Sequence, residues 1–152
     1  MADNHAVSAE ALARRFLAAL EKRDPSEVLA LISDDMIMEY PFNETGDNSP
    51  ETVRRYQGRE AIEQMLIKGF SIEESIKFDL ESFTSSADKS TVFVEGRGFL
   101  LMRGGRSYKN RYNFRFDVRD GKIIRLREYL NPVTSGLAFG RPIAGRAFTD
   151  PP

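Results

Sequence analysis

The sequence contains no cysteine and only one histidine among its 152 residues. Without cysteine, the chain can form no disulfide, no nucleophilic thiolate and no cysteine metal site. The one histidine, His5, lies in a polar N-terminal run, so a histidine base, a catalytic triad and a histidine zinc site are not expected. The sequence therefore predicts neither a metal site nor a cofactor.

The chain also lacks an excess of positive charge and a long apolar run. Its 22 Lys and Arg oppose 23 Asp and Glu, so neither nucleic acid nor an anionic membrane is predicted as a partner. No stretch approaches the roughly 20 apolar residues of a membrane span, and the N-terminal run has no signal-peptide pattern. These features predict a soluble, cytoplasmic protein, and the length predicts one domain over residues 1–152.

Hydrophobic periodicity and turn residues predict an α+β order of elements. Helices are expected over 8–23, 25–32 and 59–70, and strands over 36–42, 76–83, 91–102, 108–118 and 124–130. Four consecutive strands with short turns form an antiparallel meander, and three helices can cover only one of its faces. The predicted core is therefore 8–132, followed by an irregular tail, 133–152, that packs on its own domain or on a dimer partner.

Residues 43–57 are polar and show no secondary-structure period. This connection is long for a compact domain, and such loops are either lids over a site or disordered surface segments. The sequence leaves both interpretations open.

The clearest pattern is the hairpin over residues 107–132, which turns at Asp120-Gly121. Alternate residues of a strand share a face, and one apolar face of this hairpin carries Asn110, Tyr112 and Glu128. A carboxylate on an apolar face is costly unless it is paired or used. Glu128 is therefore the leading candidate for a catalytic residue.

A second charged set lies on the strand over 91–102, where Glu95, Arg97 and Phe99 share one face. If Phe99 points inward, Glu95 and Arg97 enter the same cavity as Glu128. A guanidinium between two carboxylates would separate their pKa values and so provide an acid and a base. The alternative is an internal ion-pair network that fills the cavity without chemistry.

The remaining candidates would bind the substrate. The strand over 36–42 is apolar on both sides, so either Glu39 or Tyr40 faces the cavity. Tyr112 and Asn110 could donate hydrogen bonds to a substrate oxygen, and Asn131 could line the mouth. The alternative is a core tyrosine with its hydroxyl satisfied and asparagines that end strands.

Four short segments carry a family resemblance: Tyr40–Phe42, Gly58–Ile62, Asp120–Ile123 and Arg127–Tyr129. They resemble the SnoaL-like branch of the nuclear-transport-factor-two-like superfamily, which includes ketosteroid isomerase, limonene epoxide hydrolase, polyketide cyclases and phenazine-biosynthesis subunits. The resemblance implies a cone-shaped α+β barrel, in which three N-terminal helices wrap a curved mixed or antiparallel sheet around an apolar pocket. It also implies a homodimer formed through the outer face of the sheet.

The resemblance also implies roles for particular residues. Glu128 falls where limonene epoxide hydrolase has an aspartate that activates water and where the phenazine subunits have a glutamate. Glu95 and Arg97 fall where that hydrolase has arginine and then aspartate, so the charges occur in reversed order.

We therefore expect a cofactor-independent acid–base enzyme. It would be an isomerase or cyclase acting on a small hydrophobic oxygenated molecule, such as a polyketide or terpenoid intermediate. The alternatives are an epoxide hydrolase and a non-catalytic small-molecule-binding dimer module.

Overall fold

The computed structural model describes residues 7–143, which form four α-helices, one 3₁₀ turn and one six-stranded sheet. The elements are α1 (Ala9–Lys22), α2 (Pro25–Leu31), β1 (Ile32–Tyr40), the 3₁₀ turn (Pro50–Thr52), β2 (Arg54–Gln57), α3 (Arg59–Ile72), β3 (Glu73–Ser85), β4 (Thr91–Met102), β5 (Ser107–Arg119), β6 (Lys122–Leu130) and α4 (Pro132–Phe139). The predicted α+β class is confirmed. That all 152 residues form one domain stays a prediction.

The two N-terminal helices begin at residues that satisfy their free backbone N–H groups. The Ser8 hydroxyl accepts a hydrogen bond from the Ala11 N–H, and the Asp24 carboxylate accepts from the N–H groups of Ser26 and Glu27. Such caps satisfy donors that have no partner within a helix. The inward side of α1 carries Leu12, Phe16 and Leu17, which are almost fully buried.

The sheet is mixed, with strand order β2-β1-β6-β5-β4-β3. Strands β3 to β6 form the predicted antiparallel meander, while β1 lies parallel to β6 and carries β2 on its other edge. Helix α3 contacts β1 and β2 at one end of this order and β3 at the other. The sheet therefore curls around its helices, as the predicted cone requires.

The β5–β6 hairpin turns at Asp120-Gly121, where both residues have positive φ angles, 52° and 71°. An irregularity in the pairing then places Asp117 opposite Arg125 but Val118 opposite Ile123. This shift buries Ile123 fully, whereas Ile124, which simple alternation places on the apolar face, is only partly buried. Beyond the irregularity, alternation holds and the side chain of Glu128 points inward.

Two segments contain more structure than the sequence predicts. Residues 43–57 include the 3₁₀ turn and β2, whose four residues are too few and too polar to show a strand period. The tail predicted as irregular begins with α4, which the Asn131 side chain caps by accepting from the N–H groups of Val133 and Thr134. The Phe139 ring contacts the Tyr108 ring with centroids 5.3 Å apart, so this part packs on its own domain. Residues 144–152 lie outside the described range.

The face of strand β4 that points inward is not the one that carries Phe99, as the sequence analysis expected, but the opposite face. Its buried residues are Val92, Val94, Gly96, Gly98, Leu100 and Met102. The alternation was correct, but the choice of the inward face was wrong, because the two glycines make that face look less apolar than it is. The rings of Phe78 and Tyr112 occupy the space above Gly98.

This close packing makes Gly98→Ala a test of the inward face of β4. An added Cβ would lie 2.6 Å from Cε2 of Tyr112, so we expect the overpacking to lower the free energy of unfolding by roughly 1–3 kcal/mol. Chemical denaturation measures this change. The matched control is Gly69→Ala in α3, where the nearest atom is 3.9 Å away and alanine should stabilise by roughly 0.5–1 kcal/mol. Equal destabilisation of both variants would contradict the packing.

Candidate active site

A cavity of about 500 Å³ lies between the inner face of the sheet and the helices. Its apolar wall includes Phe16, Met38, Phe70, Phe78, Phe114 and Phe139. Its polar lining comes from four tyrosines, two glutamates, two arginines, one lysine, one glutamine and one serine, which are Tyr40, Tyr56, Tyr108, Tyr112, Glu73, Glu128, Arg54, Arg141, Lys68, Gln64 and Ser135. A mostly apolar cavity of this size with a few converging polar groups suits a small organic molecule.

Glu128 lies on the inner face of β6 and is 9% exposed. Within residues 7–143 its carboxyl group has no hydrogen bond and no ion pair. Burial raises its pKa from an ordinary value near 4.5 to about 7, because ionisation in an apolar wall is costly. The positive charge of Arg54 lowers this pKa and the nearby Glu73 raises it. At neutral pH both the acid and the carboxylate are therefore populated.

The hydroxyl groups of Tyr108 and Tyr112 lie 3.2 Å apart at the cavity wall. The amide of Asn110 donates to the Tyr108 oxygen at 2.8 Å, and this orientation is set because the amide also donates to the Asn131 carbonyl and accepts from the Asn131 N–H. Tyr108 oxygen is thus an acceptor from Asn110. The Tyr112 hydroxyl donates to the same oxygen, so the hydroxyl proton of Tyr108 is the one that has no acceptor among residues 7–143.

The unused hydroxyl proton is available to a ligand oxygen in the cavity. Burial raises the pKa of Tyr112 far above its ordinary value, so the phenol stays protonated and remains a hydrogen-bond donor. A neutral donor fixed by its neighbours is the kind of group that stabilises a developing oxyanion.

Two further charged groups reach the cavity from elements that the sequence analysis did not connect with it. Glu73 lies where α3 ends and β3 begins, and burial raises its pKa, against the opposing charge of Arg23. Arg54, on β2, places its guanidinium carbon 4.3 Å from the centroid of the Tyr40 ring. Its partner carboxylate, Glu44, is 3.8 Å away and makes a much closer pair with Arg141 at 2.7 Å.

The predicted meeting of Glu95, Arg97 and Glu128 does not occur. Arg97 is exposed on the outer face of β4, where it donates to Asp79 and pairs with Glu81 at 3.1 Å. Glu95 accepts a hydrogen bond from Ser82 on that same face, and Phe99 is exposed there. The prediction was wrong because alternation shows which residues share a face but not which face is inward.

The ambiguity on β1 is resolved in favour of Tyr40, which lines the cavity. Glu39 points to the outer face, where it pairs with Arg55 at 2.7 Å, with Arg127 at 2.9 Å and with Arg125 at 4.0 Å. Burial alone would raise the pKa of Glu39, but the hydrogen bonds from Arg127 and Arg55 lower it below its ordinary value. Glu39 is therefore a structural ion-pair centre outside the pocket.

The two predicted asparagines do not line the cavity. Asn110 is buried, and its amide is fully engaged in joining β5 to the chain at Asn131. Asn131 is exposed and caps α4. Of the residues predicted to bind substrate, Tyr40 and Tyr112 are the two that lie at the cavity wall.

Sequence reasoning missed Tyr108, Arg54, Glu73 and Arg141 as site residues. Tyr108 could have been found, since it shares the inward face of β5 with Tyr112. The other three gave no periodic signal, because they lie on a four-residue strand, at a helix–strand junction and after the last helix.

Comparison with known proteins establishes the family. The sequence profile of the SnoaL-like domain matches residues 13–126. The chain belongs to the SnoaL-like family. This SnoaL-like chain is also 31% identical over 134 residues to the uncharacterised protein YesE of Bacillus subtilis (strain 168), with 84% of each chain covered. The predicted family is thereby confirmed.

Solved structures with the same fold include two whose names refer to enzymes. A candidate isomerase from Bacillus subtilis superposes with a TM-score of 0.74 at 24% identity, over 90% of this chain and 96% of its own. A candidate polyketide cyclase from Pseudomonas putida KT2440 superposes with a TM-score of 0.68 at 20% identity, over 86% and 97%. At these identities the likeness establishes the fold of the SnoaL-like chain.

No group of three or more His, Cys, Asp or Glu side chains within residues 7–143 could hold a metal ion. No helix in this range is long and apolar enough to cross a membrane.

The buried carboxyl of Glu128 predicts a particular dependence of stability on pH. Below about pH 4.5 the side chain is protonated in both the folded and unfolded states. As pH rises towards 7, the unfolded chain ionises first, so stability is lost across this interval and then levels off. With a folded pKa of about 7, the loss is about 3 kcal/mol.

Glu128→Gln removes this contribution. We therefore expect the wild type to lose about 3 kcal/mol more unfolding free energy between pH 4 and pH 8 than Glu128→Gln does. Urea denaturation at several pH values measures the difference, and Glu95→Gln on the outer face serves as the matched control. Parallel curves for the wild type and Glu128→Gln would show that the carboxyl is not destabilised by burial.

Proposed function

We propose that this SnoaL-like protein is a cofactor-independent acid–base enzyme that moves a proton on a small hydrophobic oxygenated molecule. The observation that carries the proposal is Glu128, an unpaired carboxyl group with a pKa of about 7 in an apolar cavity. A group that is half protonated at working pH can take a proton from carbon and then return it. Isomerisation and cyclisation both need this cycle.

The tyrosine pair supplies the second requirement of such a reaction. A substrate carbonyl oxygen would accept the spare hydroxyl proton of Tyr108 while Glu128 removes a proton from the adjacent carbon. The electron pair of the broken C–H bond moves onto the oxygen, and the enolate is stabilised by the tyrosine donor.

Two outcomes follow from the same enolate. If Glu128 returns the proton to a different carbon of the conjugated system, the substrate is isomerised. If the enolate carbon attacks a second carbonyl of the same molecule, a C–C bond closes a ring, and Glu128 protonates the resulting alkoxide. The names of the two structural relatives, which refer to an isomerase and a polyketide cyclase, support both classes of reaction.

Glu95 and Arg97 have no part in this mechanism, because they lie on the outer face of the sheet. The epoxide hydrolase alternative depended on an arginine and a second carboxylate flanking Glu128, so its main support is lost. A non-catalytic binding module would use the same cavity but would not need an ionisable group with its pKa near 7.

Exchange of carbon-bound hydrogen tests the role of Glu128. We expect the wild type to accelerate deuterium incorporation from D₂O at the α-carbon of members of a panel of cyclic ketones and β-diketones, with a rate that rises to a plateau through about pH 7. Glu128→Gln should lower the rate roughly 10²–10⁴-fold, whereas Glu95→Gln should not change it. Proton NMR and mass spectrometry measure the incorporation.

Several results would oppose this assignment. Equal exchange rates for the wild type and Glu128→Gln would exclude Glu128 as the base, and bound ketones without accelerated exchange would favour a binding module. Incorporation of ¹⁸O from labelled water into an epoxide probe would identify a hydrolase. Native mass spectrometry of the purified protein would show any small molecule that it retains.

We further propose that two copies of the chain associate through the outer face of the sheet. Phe93 and Phe99 of β4 are more than one-third exposed on this face, and Arg115 lies over the Phe93 ring. Exposed aromatic residues next to arginines are typical of protein interfaces.

A cytoplasmic location stays a prediction from the sequence.

Sedimentation velocity tests this association. We expect the wild type to sediment as a dimer and Phe99→Glu to shift it towards monomer, because a buried charge on the interface has no partner. Leu137→Glu is the control, since Leu137 is an exposed apolar residue on α4. A monomeric wild type, or a Phe99→Glu variant that remains dimeric, would contradict the proposal.

A further inference from the structure

Two arginines at the cavity wall share one carboxylate as their ion-pair partner. Arg54 and Arg141 both line the cavity, and both are paired with Glu44 alone among residues 7–143. The Glu44 side chain is only 10% exposed, and it accepts a hydrogen bond from Arg141 at 2.7 Å. Glu44 therefore forms a close ion pair with Arg141, and the second guanidinium has no close carboxylate partner among residues 7–143.

The arginine without a close partner is Arg54. Its guanidinium lies 3.8 Å from Glu44, beyond hydrogen-bond distance, and makes no hydrogen bond within the described part of the chain. Two arginines with similar side-chain exposure, Arg115 and Arg127, each donate instead to a carboxylate within 3.1 Å. Arg54 therefore keeps its donors unused while it faces an apolar cavity.

The Tyr40 ring holds this guanidinium in place. The guanidinium carbon lies 4.3 Å from the ring centroid, and an arginine over an aromatic face is stabilised by the negative charge of the π system. A fixed planar fork of N–H donors matches the two oxygens of a carboxylate. The guanidinium of Arg54 is therefore held in an orientation that could bind a carboxylate from outside residues 7–143.

We propose that the substrate of this protein is a hydrophobic molecule that carries a carboxylate, and that Arg54 binds this carboxylate at the mouth of the cavity. The proposal names the substrate class and so rests on the proposed function, but it concerns binding and does not depend on the role of Glu128 in proton transfer. The apolar part of the molecule would fill the aromatic wall, and its carbonyl would reach the Tyr108–Tyr112 pair.

The position of Arg54 also links binding to protonation. The charged and titratable groups of the cavity are Tyr40, Arg54, Tyr56, Lys68, Glu73, Tyr108, Tyr112, Glu128 and Arg141. Of these, Arg54 is the cation that lowers the pKa of Glu128. A carboxylate bound to Arg54 would offset that positive charge, so Glu128 would take up protons and the carboxylate would bind more tightly at pH 6 than at pH 8.

Isothermal titration with matched probes tests the proposal. The probes are 1-naphthylacetate and 1-naphthylacetamide, which have the same aromatic body and differ in charge. We expect the wild type to prefer the carboxylate roughly 10- to 100-fold, as a charge-assisted hydrogen-bonded pair allows. Arg54→Gln should abolish this preference while keeping affinity for the amide.

Controls separate Arg54 from a general effect of charge. Arg111→Gln removes an equal charge from an exposed position on the outer face and should leave the preference unchanged. Arg54→Lys keeps the charge but not the fork, and should retain only part of the preference. Circular dichroism of each variant checks that the fold is intact.

The outcomes also separate this proposal from the catalytic one. A wild type that does not prefer the carboxylate, or that binds neither probe at millimolar concentration, would overturn it, as would a preference that survives in Arg54→Gln. Glu128→Gln should keep the carboxylate preference and lose its dependence on pH between 6 and 8. Failure of the exchange reaction with an intact Arg54-dependent preference would leave a binding protein for hydrophobic carboxylates.

Discussion

The rest of this structure depends on a carboxyl group that is buried without a partner. Glu128 is surrounded by aromatic and aliphatic side chains, and none of the described residues donates a hydrogen bond to it. Placing a carboxylate there is costly, so the group holds its proton to about pH 7. The fold must compensate for this instability elsewhere, with the fully buried residues of α1 and the continuous hydrogen bonding of the meander. Strain of this kind is characteristic of functional sites.

Charged side chains are closely ion-paired on the outer face of the sheet but not on its inner face. On the outer face, Glu39 is neutralised by three arginines, and Arg97 is held between Asp79 and Glu81. On the inner face, the carboxyl groups of Glu73 and Glu128 have no ion pair with any residue between 7 and 143, and Arg54 has only a distant one. The charged groups that have no close ion-pair partner among the described residues therefore include those that line the cavity.

Prediction from the sequence succeeded where the pattern was local and failed where it depended on distant packing. The Asp120-Gly121 turn and the alternation of β5 and β6 placed Tyr112 and Glu128 on the same face, because both signals lie within one hairpin. The same alternation on β4 grouped Glu95 with Arg97 correctly but could not show that two glycines mark the inward face. Their inward position depends on the rings of Phe78 and Tyr112, which belong to neighbouring strands.

The sequence by itself determined the α+β class, the order of the elements other than β2, the 3₁₀ turn and α4, and the inward position of Glu128. These follow from hydrophobic periods, caps and turn residues, which act over a few neighbouring positions. Only the tertiary structure decided that Arg54, Glu73, Tyr108 and Arg141 surround the same cavity and that Arg97 does not. The curled fold brings Arg54 and Arg141, which are 87 positions apart, to one cavity, and no local pattern encodes a distance of that kind.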